Sequence, residues 1–282
     1  MTDERLREEK TSTDERLREE KTSTDDLLTL RNVNKAFGPV HVLHDIDFSV
    51  QAGEVVALVG DNGAGKSTLV KCIAGVHQID SGTVYFAGDE VHVDGPRSAS
   101  QLGIEVVYQD LALADNLDIV QNMFLGRERG SAWLLDEASM EEEARRTLAA
   151  LSVRTISSVR LPVGALSGGQ RQTVAIAKSV LWDSRVILLD EPTAALGVAQ
   201  THQVLELVRR LAEQGIGVVL ISHNLGDVFA VADRIAVLYL GHLVAQVGAG
   251  EVTHNQVVEL ITSGRSGDLG LARPETSPSA GS

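Results

Sequence analysis

The sequence predicts an α/β protein with a mostly parallel central sheet, and three observations support this fold class. Short apolar segments alternate with segments of helical period along most of the chain, an alternation typical of a parallel sheet covered by helices. The segment GEVVALVG runs directly into the glycine-rich loop GDNGAGKST at 60–68, as a buried strand followed by a turn and a helix would. From about 112 to 182 helical segments dominate, which indicates an inserted helical subdomain.

Each element is assigned from its hydrophobic period and its flanking residues. The predicted strands are LLTLRNV, VHVLHDIDFSV, GEVVALVG, TVYFAG, IEVVYQ, RVILLD, GVVLIS and a hairpin, RIAVLYLGHLVAQVG, that turns near Gly241. The predicted helices are LVKCIAGV, EASMEEEARRTLAAL, QRQTVAIAKSVL, THQVLELVRRLAEQ and HNQVVELIT. Ser67 and Thr68 open the first of these helices, and acidic residues in the first turn of the second favour its macrodipole.

Composition bounds the classes of function. The chain has 282 residues, 43% of them hydrophobic, and a formal net charge of −14. This charge argues against non-specific binding to nucleic acid or to an anionic lipid surface, because both need basic patches. Cys72 is the single cysteine, so the chain cannot form an internal disulfide, which fits a reducing compartment. Cys72 lies in an apolar run and is expected to be a buried hydrophobe rather than a reactive thiol.

The sequence shows no membrane-spanning or signal-peptide pattern, and we therefore expect a cytoplasmic chain. No apolar stretch is long enough to span a bilayer, and the charged N-terminus lacks the apolar region of a signal peptide. TDERLREEKTS occurs in tandem at 2–12 and 13–23 with too few large hydrophobes to bury a face. We therefore expect disordered tails at 1–26 and 265–282 around one domain at 27–264, with its helical subdomain at about 112–182.

The loop after GEVVALVG matches G-x-x-x-x-G-K-[ST] at every specified position and has the strand-loop-helix context that this phosphate-binding motif requires. Its glycines let backbone amides turn toward phosphates, Lys66 can reach the β- and γ-phosphates, and the Ser67 hydroxyl can bind Mg²⁺. The predicted ATP-binding residues here are Gly60, Asp61, Asn62, Gly63, Ala64, Gly65, Lys66, Ser67 and Thr68.

The segment RVILLDEPT at 185–193 predicts the acidic half of the same site. Its apolar strand delivers Asp190 to the carboxyl end of the sheet, where open α/β sheets bind ligands. We expect Asp190 to join the Mg²⁺ shell and Glu191, directly after it, to polarise the attacking water as a general base.

A second glycine-rich segment, LSGGQ at 166–170, also precedes a helix. By itself it is either an ordinary helix N-cap or an anion site at a helix N-terminus. Its position downstream of one phosphate loop and upstream of RVILLDEPT favours the second interpretation.

These motifs, in this order, resemble the nucleotide-binding subunits of ABC transporters, and the resemblance extends from about Leu27 to Gly264. It implies a P-loop NTPase fold in which an N-terminal antiparallel β subdomain and a helical subdomain accompany the core sheet. It implies that Phe37 stacks on adenine, that Gln109 contributes to catalysis and to Mg²⁺ binding, and that His223 is the switch histidine.

The resemblance also implies that LSGGQ acts in trans. Two cassettes would pack head to tail as a homodimer, and the signature motif of one would close over the γ-phosphate bound by the other. The signature residues are Leu166, Ser167, Gly168, Gly169 and Gln170. One departure from the family is the sequence Ala194-Ala195-Leu196-Gly197 where SALD is usual. This change removes the aspartate that helps to couple the two sites.

The stretches GDNGAGKSTLVKCIAG, YQDLALADNLDIVQNMFLGRE and EPTAALGV resemble the branch that imports monosaccharides such as ribose, xylose or fructose, in its single-cassette form. This resemblance implies a permease and an extracytoplasmic sugar-binding protein as partners, no nucleic acid, and a peripheral location at the cytoplasmic face of the membrane. The alternatives are the ATPase of a non-sugar ABC transporter, a soluble ABC ATPase outside transport, and a regulatory subunit that binds ATP without hydrolysing it.

The segment from Gln109 to Arg127 is where the resemblance places docking of the permease. Five apolar residues are candidates for the docking groove: Leu111, Leu113, Leu117, Met123 and Phe124. Each of them can equally be a core residue of the helical subdomain. The two interpretations predict opposite exposures, so the structure can distinguish them.

Overall fold

The structure is a computed structural model that describes residues 26–131, 134–153 and 155–269. The tandem repeat, the rest of the predicted N-terminal tail up to residue 25, and residues 270–282 lie outside the described residues. Asp26, expected in the tail, begins the first strand. Residues 265–269, also expected in a tail, extend the fold with a 3₁₀ turn at Gly267–Leu269. Ser266 is buried and Leu269 packs on apolar residues of the domain, so these residues are held by burial.

In the described part of the chain, the strands fall into three sheets. In chain order they are β1 (Asp26–Phe37), β2 (Val40–Gln51), β3 (Val55–Gly60), β4 (Ser81–Phe86), β5 (Asp89–Val91), β6 (Ile104–Val107), β7 (Gly130–Ser131), β8 (Leu134–Leu135), β9 (Val186–Asp190), β10 (Gly217–Ile221), β11 (Arg234–Tyr239) and β12 (His242–Gly248). The helices are α1 (Lys66–Ile73), α2 (Pro96–Gln101), α3 (Ile119–Phe124), α4 (Glu137–Ala150), α5 (Gly168–Val180), α6 (Val198–Glu213), α7 (Leu225–Val231) and α8 (His254–Ser263).

The core sheet has the strand order β12-β11-β3-β10-β9-β6 among the described residues. Its strands pair in parallel, except that β12 runs antiparallel to β11 after the predicted turn at Gly241. A separate antiparallel sheet has the order β2-β1-β4-β5. The predicted α/β fold, with a mostly parallel core sheet and an N-terminal antiparallel β subdomain, is therefore confirmed.

Side chains alternate between the two faces of each core strand, and this builds two large apolar clusters. Ile187 and Leu189 of β9 face the cluster that contains α3, α4, α5 and α6. Leu188, between them, faces the opposite cluster, which contains α1 and the antiparallel sheet. The core strands are thus covered on both faces, as their almost uniformly apolar sequences require. Among the described residues, no helix is both long enough and apolar enough to cross a membrane.

The segment at 112–182 contains the helices α3, α4 and α5, and it also contains the two-stranded sheet β7-β8, which the helical prediction omitted. Arg160 ties this segment together, since its guanidinium pairs with Asp118 at the N-cap of α3 (3.3 Å) and with Glu137 (3.2 Å) and Glu141 (2.7 Å) on α4. Hydrogen bonds from Arg145 and then Arg160 lower the pKa of Glu141. The helical subdomain is therefore joined by a charged network as well as by its apolar core.

Candidate nucleotide-binding site

The phosphate loop lies between β3 and α1, as predicted. Gly60, Gly63 and Gly65 all have positive φ angles, of 155°, 82° and 107°. A Cβ on Gly60 would meet the carbonyl oxygen of Leu238 on the neighbouring strand. The loop therefore needs glycine both for its backbone conformation and for its close approach to β11.

One cavity of about 400 Å³ lies over this loop. The residues that line it are Val42, Asn62, Gly63, Gly65, Lys66, Ser67, Thr68, Gln109, Asp190, Glu191 and Ile221. Most of the residues predicted from three distant segments thus converge on one space. Gly60 and Ala64 shape the loop from behind, where the Ala64 carbonyl accepts a hydrogen bond from Gly241 N (2.9 Å). Asp61 Oδ1 accepts from Asn62 N (2.7 Å).

Val42 and Ile221 also line the cavity but were not predicted. They are apolar residues at the start of β2 and the end of β10, and nothing in their local sequence separates them from core residues. Only the packing of β2 against the phosphate loop shows their position, since a Cβ on Gly65 would lie 3.2 Å from the Val42 carbonyl oxygen.

Lys66 folds over the phosphate loop. Its Nζ donates to the carbonyl oxygens of Gly60 (2.7 Å) and Asp61 (3.0 Å). Burial lowers the pKa of Lys66, and the attraction of Glu191, Asp61 and Asp190 opposes this shift. A partly desolvated ammonium group beside an open cavity is suited to bind an anion, since an anion would offset its desolvation.

Asp190 ends β9 at the floor of the cavity. Its pKa is raised by burial and by the neighbouring charge of Glu191, against the attraction of Lys66 and Lys71. A half-buried carboxylate with a raised pKa gains from a bound cation. With the Ser67 hydroxyl and the Gln109 amide it forms a set of oxygen donors in one cavity, and this set fits Mg²⁺, which uses few protein ligands beside phosphate and water.

Glu191 occupies a left-handed backbone conformation with φ of 51°, and its amide donates to the Ile221 carbonyl (3.0 Å). Non-glycine residues in this region carry strain that surrounding structure must balance. The Oε2 atom of Glu191 lies 2.7 Å from Nδ1 of His223, an ion-pair distance, although the atoms do not align as a hydrogen bond and Oε2 is otherwise buried without a partner. His223 does not line the cavity but stands at its rim.

Phe37, the predicted adenine platform, lies at the end of β1 and is 43% exposed. The ring packs edge-to-face on His77, with centroids 5.0 Å apart, and the ammonium of Lys35 lies 5.3 Å from its centroid. Phe37 is thus held in place while much of its surface stays open. Such a ring can stack on a base.

The signature motif at 166–170 does not line the phosphate cavity of its own chain. Ser167 caps α5, accepting from Gln170 N (3.3 Å), while Gln170 Oε1 accepts from Ser167 N (2.9 Å). Leu166 is buried, whereas Ser167 and Gly168 are exposed at the helix N-terminus. The motif is therefore a capped helix start that is exposed to solvent, and an anion site at this N-terminus stays a prediction.

The signature motif packs against Leu196 and the first turn of α6 instead. A Cβ on Gly168 would lie 3.1 Å from Leu196 Cδ2, and one on Gly169 would lie 3.0 Å from Gln200 Cβ. Gly197 precedes α6 with φ of −73°, and a side chain there would have open space around it. The backbone at Gly197 would therefore accommodate the aspartate that the family usually has at this position.

The docking prediction is partly wrong. Met123 and Phe124 are fully buried core residues of the helical subdomain, because α3 turns this face inward. Leu111 and Leu113 are partly buried and pack against the same core, and Leu117 is partly buried. An open groove of about 210 Å³ does occur nearby, lined by Leu111 together with residues outside the predicted set: Glu105, Val106, Val107, Ala112, Leu125, Arg127, Ala175, Lys178, Ser179 and Trp182.

Comparisons with known proteins agree with this geometry. Residues 43–194 match the family model described as ABC transporter. The chain is 45% identical over 245 residues to the xylose/arabinose import ATP-binding protein XylG of Sulfolobus acidocaldarius, covering 87% of this chain and 97% of the relative. It is 42% identical over 246 residues to the fructose import ATP-binding protein FrcA of Rhizobium meliloti, covering 85% and 95%.

The fold is also similar to solved structures. The ADP conformation of MJ1267, an ATP-binding cassette of an ABC transporter, superposes with a TM-score of 0.72 at 26% identity, covering 84% of this chain and 95% of that one. The matched family model, the relatives and the converging phosphate loop and acidic pair lead to one conclusion. The chain belongs to the ABC transporter family, as one of its ATP-binding chains.

Proposed function

We propose that this protein is the ATP-hydrolysing subunit that powers import of a monosaccharide through a membrane permease. The observation that carries the proposal is the convergence of Lys66, Ser67, Gln109, Asp190 and Glu191 on one cavity. Two relatives are named as xylose/arabinose and fructose import ATP-binding proteins, and these names support a monosaccharide as the imported solute. The ATPase domain in this proposal is the one predicted at 27–264, and in the structure it extends from Asp26 to Leu269.

Each group of predicted site residues has a task in this proposal. The loop amides from Gly60 to Thr68 and the Lys66 ammonium bind the phosphates, and Phe37 stacks on adenine. Ser67, Gln109 and Asp190 hold Mg²⁺, which neutralises phosphate charge when bound. Glu191 accepts the proton of the attacking water. His223, in ion-pair contact with Glu191, keeps that carboxylate oriented.

The exposed signature helix supports a composite site in a homodimer. Its capped N-terminus, with the exposed Ser167 and Gly168 ahead of the buried Gly169, faces solvent and does not line the phosphate cavity of its own chain. Helix N-termini with free amides bind anions. A second copy, packed head to tail, would supply the γ-phosphate to Leu166–Gln170 and complete both sites symmetrically.

The groove beside Leu111 is our proposed docking site for the permease. Its lining includes residues on both sides of Gln109, Val107 before it and Leu111 after it, so a partner bound there would contact the segment that passes through the nucleotide site. Leu125 is 45% exposed, and Arg127 stacks on Trp182 with 4.9 Å between guanidinium carbon and ring centroid. Docking would hold the chain at the cytoplasmic face of the membrane, with an extracytoplasmic sugar-binding protein as an indirect partner.

An affinity pull-down tests this proposal. The tagged chain is purified from detergent-solubilised native membranes, and co-purifying proteins are identified by mass spectrometry. Recovery of a polytopic permease, with a sugar-binding protein in some preparations, is the expected result. The variant Leu125→Glu tests the docking groove and should recover less permease than the wild-type chain. Recovery of a permease for a different solute would overturn the assignment of a monosaccharide as the solute. Recovery of soluble partners alone would overturn the transport function.

A further inference from the structure

A buried carboxylate joins the two loops that carry Glu191 and His223. Asp227 lies in the first turn of α7 and is buried. Its Oδ2 accepts a hydrogen bond from the Thr193 hydroxyl (2.7 Å), and its Oδ1 accepts one from the side-chain amide of Asn224 (3.1 Å). Each carboxylate oxygen thus has a neutral donor from a different loop.

The two donors stand next to the proposed catalytic residues. Thr193 follows Glu191 by two positions, and Asn224 comes directly after His223. The loops leave adjacent parallel strands, β9 and β10, where Asp190 pairs with Ile221. Just beyond the sheet, a backbone hydrogen bond from Glu191 N to the Ile221 carbonyl (3.0 Å) also joins the two segments.

Two further hydrogen bonds hold Asn224 in place. Its Oδ1 accepts from Gly226 N (2.9 Å) and caps α7, and its backbone N donates to the Ser222 hydroxyl (3.0 Å). Because its amide oxygen is engaged, its amide nitrogen is oriented toward Asp227. Because Asp227 is buried, a lost bond would leave one of its carboxylate oxygens unpaired away from water, so this network resists distortion.

We propose that Asp227 is a positioning residue that fixes the Glu191 loop against the His223 loop, so that the 2.7 Å pairing of those two side chains is maintained. This inference rests on the proposed roles of Glu191 and His223. It adds a residue to which the sequence motifs assign no role. An acid in a first helical turn would also favour the helix dipole, but that effect would not involve Thr193.

The test is a matched pair of substitutions. Thr193→Val removes the hydroxyl at constant shape, and Thr193→Ser keeps it. We expect Thr193→Val to lower kcat on the order of 10-fold, because small misplacement of catalytic groups is costly, while KM for ATP stays within about twofold. Thr193→Ser should retain most of the wild-type kcat. Equal effects of both variants, or a change confined to KM, would overturn the inference.

Asp227 variants give an independent check. Asp227→Ala removes both bonds, whereas Asp227→Asn can accept from Asn224 and donate to the Thr193 oxygen. We expect the asparagine variant to recover much of the turnover that the alanine variant loses. The double variant Asp227→Ala, Thr193→Val should be no slower than Asp227→Ala alone, since the two residues act through one bond. Additive losses would contradict a shared role.

Hydrogen exchange separates this inference from the proposed function. Peptides covering 221–226 should exchange faster in Thr193→Val than in Thr193→Ser, whether or not the protein hydrolyses ATP. If the wild type turns over no faster than Glu191→Gln, the proposed ATPase activity fails, and the exchange rates still decide whether Asp227 holds the loop. If kcat falls while exchange is unchanged, the positioning role is wrong.

Discussion

Nδ1 of His223 lies 2.7 Å from Oε2 of Glu191, and the two side chains differ greatly in exposure. The Glu191 side chain is 17% exposed, while that of His223 is 74% exposed. An ion pair with one largely exposed partner contributes little to stability and is easily exchanged for another contact. Any importance of this contact therefore lies in the orientation of the Glu191 carboxylate and not in the stability of the fold.

Replacing Glu191 with Gln should stop hydrolysis and preserve binding. The amide keeps the shape of the side chain but cannot take a proton, so we expect ATPase activity to fall by a factor of about 100 or more. An ATP-bound dimer should then accumulate, visible by size-exclusion chromatography with light scattering. Glu206→Gln, on the exposed side of α6, is the matched control and should behave as wild type. A variant that hydrolyses ATP at the wild-type rate would remove Glu191 from the role of base.

Replacing Phe37 with Ala should weaken nucleotide binding. Loss of one stacking contact costs about 1 kcal/mol or more, which is roughly a fivefold loss of affinity. We expect KM for ATP to rise while kcat changes little, as measured by steady-state ATPase assays. Val40→Ala is the control, because Val40 pairs with Phe37 across β1 and β2 and is also exposed. Equal effects of the two variants would show that Phe37 supports the strand pair and not the base.

Replacing Gly197 with Asp should be tolerated by the fold. The backbone has negative φ and open space for a side chain, and aspartate is a favoured N-cap, so unfolding free energy should change by less than about 0.5 kcal/mol. Because the family's aspartate couples the two sites, the Hill coefficient of ATP hydrolysis should rise. Gly60→Ala is the contrast and should lose more than about 1 kcal/mol, because φ is positive and Leu238 blocks its Cβ. An unchanged Hill coefficient would mean that aspartate alone cannot restore coupling.

Replacing Leu125 with Glu should uncouple transport from ATP hydrolysis. The side chain lies exposed at the proposed docking groove, so a charge there should reduce sugar uptake in reconstituted vesicles without changing basal ATPase activity of the free chain. Phe124→Ala, one residue earlier, should instead lose about 3–5 kcal/mol of stability and both activities, because Phe124 is fully buried. If Leu125→Glu leaves uptake intact, the permease binds elsewhere.

Cys72 should react slowly with alkylating reagents in the folded protein. Burial raises the pKa of the thiol to about 11, from 9.0, so the reactive thiolate is about 100-fold scarcer near pH 8. Mass spectrometry after iodoacetamide treatment measures the rate, and the same reaction in denaturant is the control. Because the chain has one cysteine, every adduct reports this site. Similar rates in both conditions would show that the helix around Cys72 opens readily.

The structure also adds short elements that the sequence pattern missed. The strand β5, the helices α2 and α7 and the β7-β8 sheet have too few residues to show a hydrophobic period, so only their tertiary contacts define them. Asp227 belongs to this group. Its position in a seven-residue helix carries no motif, and its role becomes visible only when Thr193 and Asn224 are seen on either side of it.

The sequence by itself determined the succession of core strands and helices along the chain, the phosphate loop, the acidic pair and the signature motif. These features are local, because glycine at positive φ, apolar period and a capping serine act within a few residues. Tertiary structure decided which of the predicted residues meet. It buried Phe124, left Leu125 exposed, turned the signature motif away from its own phosphate loop and brought His223 against Glu191. Such contacts depend on how distant segments pack, and a short stretch of sequence does not determine that packing.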